Sequence, residues 1–110
     1  MEIHTRPADG YTVLACEGRL TMTTAARLRG AVDAAVAGGT PRVVVDLSGT
    51  SFVDSSGLGA LVGGLRAART AGGDLRIAGP GEQVASVLAL TNLDQVLTPH
   101  PGVEAAAHGW

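Results

Sequence analysis

The amino-acid sequence predicts an α/β protein: a mostly parallel mixed sheet that opens with an N-terminal hairpin and is covered by helices. Three observations carry this. Strand-like apolar runs alternate with segments of helical spacing, in the order hairpin, helix, strand, helix, strand, helix, strand. The stretch "RVVVDL", Arg42 to Leu47, is a continuous β-branched run, as a strand buried on both faces requires. Apolar residues make up 45% of the 110 residues and aromatics only 3%, so Val, Leu, Ile and Ala must build the core. A chain of this size supports one core, and residues 1–110 are expected to form a single domain.

Each element has its own signal. Ile3 to Arg6 reads as a short edge strand, and "PADG" from Pro7 as a turn. "YTVLACEG" from Tyr11 completes the hairpin. Ala25, Leu28, Val32 and Ala35 recur at helical spacing, with Thr23 or Thr24 as cap and Gly38-Gly39 as terminator. A loop from Thr50 to Ser56 follows "RVVVDL". Leu58, Leu61, Val62, Leu65 and Ala68 then mark a second helix face, closed by Gly72-Gly73. "DLRIAG" from Asp74 is a strand. "GEQVASVLALTNL" from Gly81 is a helix with Val84, Val87 and Leu88 inward and Leu90 as a further candidate. "QVLT", Gln95 to Thr98, is expected to be a last short strand stopped by Pro99 and Pro101, and Val103 to Ala107 a final helical turn or two.

Composition excludes several classes. Net charge is −2, and all eight basic residues are scattered arginines, so nucleic acid is not an expected partner. No apolar run is long enough to span a bilayer, and "MEIHTRPADG" lacks the features of a secretory signal. No membrane insertion is expected, and a cytoplasmic location follows. Cys16, the one cysteine, reads as a small buried apolar side chain in a strand. His4, His100 and His108 lack metal-ligand spacing, so no metal or other cofactor is expected. "GPGEQV" from Gly79 lacks the lysine of a phosphate loop and reads as a turn before a helix.

In parallel sheets, function gathers at loops after the carboxyl ends of strands. Two such loops carry chemistry: Gly18-Arg19-Leu20-Thr21, and the stretch ending Asp54-Ser55-Ser56-Gly57. A serine nucleophile needs a base within reach, and no histidine is placed for it; the nucleophile-elbow pattern is also absent. No catalytic residue is expected. The bland account of "DSSG" is a helix cap, since Asp and Ser oxygens accept the free amides of a first turn. Gly57, Gly59, Gly63 and Gly64 add something further. Each helix-interior glycine costs about 1 kcal/mol against alanine, so four imply close approach to the sheet or to a partner. A glycine-rich helix start also leaves amides open to an anion, including a phosphate on its own serine.

The stretch from "VVVDLSGTSFVDSSGLGALVGGLRAARTAGGDLRIAG" to "LALTNLDQVL" resembles a STAS domain, in particular the bacterial anti-sigma-factor antagonists. Its most specific part is Asp54-Ser55-Ser56-Gly57-Leu58-Gly59, placed between a valine-rich strand and a helix. The resemblance implies partner switching. The unphosphorylated antagonist binds an anti-sigma factor that is also a serine kinase, and so frees a sigma factor. Phosphorylation of the serine after the aspartate, here Ser55, abolishes binding, and a serine phosphatase restores it. Asp54 would orient the loop, Ser56 would cap the helix, and Gly57 and Gly59 would let the partner approach. Leu58, Arg19 and Thr21 complete the implied contact set. Arg19 and Thr21 depart from the family pattern, which commonly carries acids at these two positions. Two other readings are a stand-alone STAS regulatory subunit of a membrane transport system, and a sensor of a small anion or nucleotide at the Ser56-Gly57 helix start.

Overall fold

The computed structural model describes residues 1–110. The elements are β1 (Glu2–Pro7), β2 (Thr12–Leu20), α1 (Ala25–Ala37), β3 (Arg42–Asp46), β4 (Thr50–Val53), α2 (Ser55–Thr70), β5 (Asp74–Ala78), α3 (Glu82–Leu90), β6 (Pro99–His100) and α4 (Val103–Ala106), with a 3₁₀ turn at Leu93–Gln95. The sheet order is β1-β2-β3-β5-β6, and β4 pairs with β2. Only the β1–β2 hairpin is antiparallel, with Ile3 opposite Cys16; every other pairing is parallel. This is the mixed, mostly parallel sheet that the alternation of elements predicts.

The main core lies between one sheet face and helices α1, α2 and α3. Leu14, Cys16, Val43, Val45, Leu75 and Ile77 from the strands meet Leu28, Val32, Leu61, Leu65, Val84 and Leu88 from the helices. The opposite face carries a smaller cluster, in which Val13, Val44 and Ala78 are covered by Ala106 and Ala107. Val43, Val44 and Val45 are therefore all fully buried, two toward the helices and one toward the chain's C-terminal segment. Arg76 holds that segment down. Its Nη1 donates to the carbonyls of Ala106 at 2.9 Å and His108 at 3.1 Å, and its guanidinium lies 4.2 Å from the Trp110 ring centroid.

Four sequence expectations are corrected. Thr50–Val53 is a strand, not loop. β3 and β4 are two halves of one interrupted strand running along β2: Thr12 to Ala15 pair with β3, and Gly18 to Leu20 with β4. At the break Ser48 N–H donates to Asp46 Oδ1 at 3.0 Å, and Thr50 Oγ1 donates to the Cys16 carbonyl at 2.8 Å. Second, Gln95–Thr98 is not a strand. Asn92 adopts a left-handed φ of 60°, Leu93–Gln95 coil into the 3₁₀ turn, and the last strand is Pro99–His100. Pro99 does not stop it, because an edge strand needs no ladder donor on its outer side. Third, Leu90 is 84% exposed, since α3 ends there instead of running on to Leu93. Fourth, neither Thr23 nor Thr24 caps α1 with its side chain. The Thr24 hydroxyl is used behind the helix, donating to the Arg19 carbonyl at 2.8 Å and accepting from Thr21 N–H at 2.9 Å.

Candidate functional site

The two loops singled out by their chemistry meet at the start of α2. β2 and β4 run side by side and end together, with Leu20 opposite Val53. Both side chains are buried beneath the first turn of α2. Gly18 begins this stretch in a left-handed conformation, φ 108°, at a shift in the β2–β4 register, with the Met1 backbone close by. A side chain at Gly18 would be strained, which accounts for the glycine that the resemblance highlights.

Asp54 joins the loops. Its backbone is extended, and its Oδ1 accepts from Gly57 N–H at 2.9 Å, making it the N-cap of α2. Its Oδ2 accepts from Met22 N–H at 3.2 Å, which ties the β2–α1 loop to the helix start. One carboxylate thus caps a helix and orients a loop, at the helix end where a negative charge is favoured. The expected cap Ser56 is instead inside the first turn, half-buried, with no side-chain hydrogen bond, because the cap position is one residue before Ser55.

Ser55 is the first residue of α2 and is exposed. Gly57 N–H is taken by Asp54 Oδ1 and Leu58 N–H by the Asp54 carbonyl at 3.0 Å. The amides of Ser55 and Ser56 have no partner within the protein. An anion at the Ser55 hydroxyl would find these two donors and, on the far side, the Asp54 carboxylate.

The glycines divide by role. A Cβ at Gly57 would strike the Leu20 carbonyl and lie 2.8 Å from Val53 Cγ2, so this glycine lets α2 settle on the strands and is not open to a partner. Gly64 similarly faces Leu75 and Val32. Leu58 is a core residue, 6% exposed. Gly59 has nothing within 4 Å of a built Cβ and lies on the exposed side. Of the expected contact set, then, Arg19 and Gly59 are exposed, Thr21, Asp54 and Ser56 are half-buried, and Gly57 and Leu58 are buried.

Three residues not expected at this site belong to it. Phe52 is half-buried, and the Arg19 guanidinium lies 4.3 Å from its ring centroid. Arg19 forms no ion pair within the protein, so its charge is held by the ring and left free outward. Met22 is 74% exposed, carried outward by the loop that Asp54 holds. Gln83, on α3, pairs with Val53 as a strand would: Val53 N–H donates to its Oε1 at 3.0 Å, and its Nε2 donates to the Val53 carbonyl at 3.2 Å. A lone phenylalanine in the "FVDSSG" stretch was a usable signal for Phe52. Nothing in the helical spacing marks Gln83, whose partner lies 30 residues away.

None of the four surface cavities is lined by residues 54 to 59. Elsewhere, the hairpin register brings Glu2, His4 and Glu17 together, which linear spacing does not reveal. All three are exposed, with His4 Nε2 3.5 Å from the carboxylate of Glu2 on its own strand and 3.7 Å from that of Glu17 on the paired strand. Cys16 is buried, and burial first, then the Asp46 charge, pushes its thiol up to about 12. That is the inert core thiol expected from the sequence. No helix is long and apolar enough to cross a membrane.

Ser55 thus stands at the head of α2, after the capping Asp54 and beside the paired ends of β2 and β4. The chain belongs to the STAS domain family: the family model described as "Mlab, STAS domain" matches residues 3–99. It is similar to the anti-sigma-B factor antagonist of Staphylococcus aureus, 27% identical over 104 residues, which cover 94% of this chain and 96% of that protein. It also resembles the crystal structure of an anti-sigma factor antagonist from Mycobacterium paratuberculosis, 28% identical, with a TM-score of 0.84 over 96% of this chain and 89% of that one. A sulfate transporter family protein from Wolinella succinogenes shares the fold alone: 17% identity, TM-score 0.76, 88% of this chain and 81% of that one.

Proposed function

We propose that this protein is an anti-sigma-factor antagonist controlled by phosphorylation of Ser55. The observation that carries the reading is the placement of Ser55: exposed, first in α2, with open amides beside it and a rigid cap behind it. The likeness to two antagonists across nearly the whole chain supports it. The unphosphorylated form binds an anti-sigma factor that doubles as a serine kinase, and so frees a sigma factor in the cytoplasm. A serine phosphatase reverses the modification. The protein is a substrate here and not an enzyme.

The switch follows from charge. A phosphate brings roughly −1.5 to −2 charges and three acceptor oxygens at pH 7. In the free domain the amides of Ser55 and Ser56 receive it and water covers the rest. In a complex it is pressed between the partner and the Asp54 carboxylate. An unpaired charge in an interface costs about 2 to 5 kcal/mol, so binding weakens by roughly thirty-fold or more. The contact surface combines Arg19 on Phe52, Met22, Thr21 and Gly59 around Ser55. With Arg19 and Thr21 where the family usually has acids, the surface favours a partner that is not strongly basic. Thr21→Asp is then expected to alter kinase affinity without unfolding the chain.

The small-ligand alternative has no cavity at residues 54 to 59 to support it. The transporter-subunit alternative has a likeness of fold behind it and no more. Titration calorimetry of both forms against an anti-sigma factor kinase tests the proposal, with mass mapping of the phosphate. Loss of affinity with unchanged circular dichroism is expected. Equal affinities, tighter binding of the phosphorylated form, or phosphate on Ser56 alone would sink it.

A further inference from the structure

Away from Ser55, the outer surface of α1 and α2 has a composition unlike the rest of the chain. These two helices hold four of the eight arginines, Arg27, Arg29, Arg66 and Arg69, and only one of the ten acidic residues, Asp33. The protein as a whole is acidic, so this face is the basic side of a polarised molecule. Between the helices runs an open groove of about 580 Å³ lined by Arg29, Val36, Gly63, Arg66, Ala67 and Ala71, among others.

Arg27 is engaged by the Met1 carbonyl and Arg69 by Asp74, but the two arginines that line the groove are not fully engaged. Arg29 lies across Gly63, where any Cβ would collide with its guanidinium. Its Nε is buried without a partner, and its Nη2 reaches Asp33 only at 3.6 Å, in an exposed pair. Hydrogen-bonding capacity is left over, which is uncommon for a buried donor. Arg66 is exposed and forms no ion pair. The shape of the groove is equally specific. The Arg29 guanidinium fills the notch at Gly63, and beyond it Ala67 and Ala71, at four-residue spacing, leave the C-terminal part of this side of α2 without a ridge. A third helix can therefore lie close along it. From Arg66 to Ala71 it offers about 8 Å, roughly one and a half helical turns.

We propose that this groove is a second docking surface, one that takes an acidic helical segment of a protein partner. Carboxylates of the segment meet Arg29 and Arg66, and its small apolar side chains meet Val36, Ala67 and Ala71. A lipid surface fits less well. Insertion needs large exposed apolar side chains, and those of this protein, Met22, Leu90 and Val96, all lie outside α1 and α2. The groove lies on the C-terminal half of α2, two turns from Ser55, so it can be occupied independently of the switch proposed there.

The test is nuclear magnetic resonance titration of the whole labelled protein. The probe is a synthetic helical peptide built of Glu-Ala-Ala-Glu-Ala-Leu-Ala units, with its Glu→Lys counterpart as control. Saturable shifts at Gly63, Arg66, Ala67 and Ala71 are expected with the acidic peptide alone. They should weaken as salt is raised. Arg66→Glu, at an exposed position, should reduce affinity by about tenfold or more. Arg66→Ala should reduce it less, with circular dichroism unchanged in both. Ser55→Asp should leave binding as it is. No shifts, shifts centred on residues 54 to 59, or indifference to Arg66→Glu would each overturn the proposal. So would equal binding of the lysine peptide, or Arg66-dependent binding to phosphatidylglycerol vesicles in place of the peptide.

Discussion

Replacing Asp54 by alanine removes the acceptor for two backbone amides at once, Gly57 N–H at 2.9 Å and Met22 N–H at 3.2 Å. Loss of an N-cap alone costs about 1 kcal/mol. A second charge-assisted bond, partly exposed, adds about another 1 kcal/mol. The expected destabilisation is therefore about 2 kcal/mol, a fall of roughly 8 °C in Tm for a chain of this length. Asp54→Asn keeps one oxygen acceptor and should lose about half of that. Ser56→Ala removes no hydrogen bond and should stay within about 0.5 kcal/mol of the parent, as should Ser55→Ala. Urea denaturation of the four variants, read by circular dichroism, gives the ranking directly. If Ser56→Ala costs as much as Asp54→Ala, or Asp54→Ala is neutral, then Asp54 is not the residue that holds the helix start and the loop together.

Three further outcomes follow from the same geometry. Gly57→Ala should cost about 1 to 3 kcal/mol because the new methyl meets Leu20 and Val53. Gly59→Ala, with open space around it, should stabilise by up to about 1 kcal/mol; thermal melts distinguish the two, and equal effects would contradict the division of roles. Gln83→Ala strands the Val53 amide and carbonyl and should cost about 2 kcal/mol, with faster hydrogen exchange at Val53. Burial holds the Cys16 thiol at about 12 against an ordinary 9.0. The folded chain keeps that proton where the unfolded chain releases it, so this contribution is complete below pH 9 and is lost as pH rises toward 12. The slope is about 1.4 kcal/mol per pH unit. Urea melts at rising pH should show it, and Cys16→Ala should remove that part of the slope.

Much of this was legible from local pattern. The hairpin, α1, β3, α2 and β5 all fall where periodicity and turn residues place them, because each buries a face whose spacing is written in consecutive residues. "TSFV" carries no clear period in its four residues, one of them an exposed serine and one a half-buried phenylalanine; its strand state comes from lying along the end of β2. "QVLT" has strand composition, yet Asn92 and the 3₁₀ turn redirect the chain so that only Leu97 is buried. The helical spacing of α3 extrapolates through Leu90 to Leu93, whereas the helix ends at Leu90 with Thr91 as its C-cap.

The sequence by itself determined the class of fold, the two loops that matter, and the serine that stands at their junction. Those properties depend on residue type and short-range spacing. Tertiary structure alone decided that the Asp54 carboxylate, besides capping α2, also holds the β2–α1 loop, through the amide of Met22, 32 residues away. It decided that Gly57 faces strands while Gly59 faces solvent, because that depends on how α2 lies on Leu20 and Val53. It also placed Arg19 on Phe52, Gln83 on Val53 and Arg29 across Gly63. These contacts come from the pairing of β2 with β4, the packing of α3 on β4 and the packing of α1 on α2, each of which joins segments far apart in the chain.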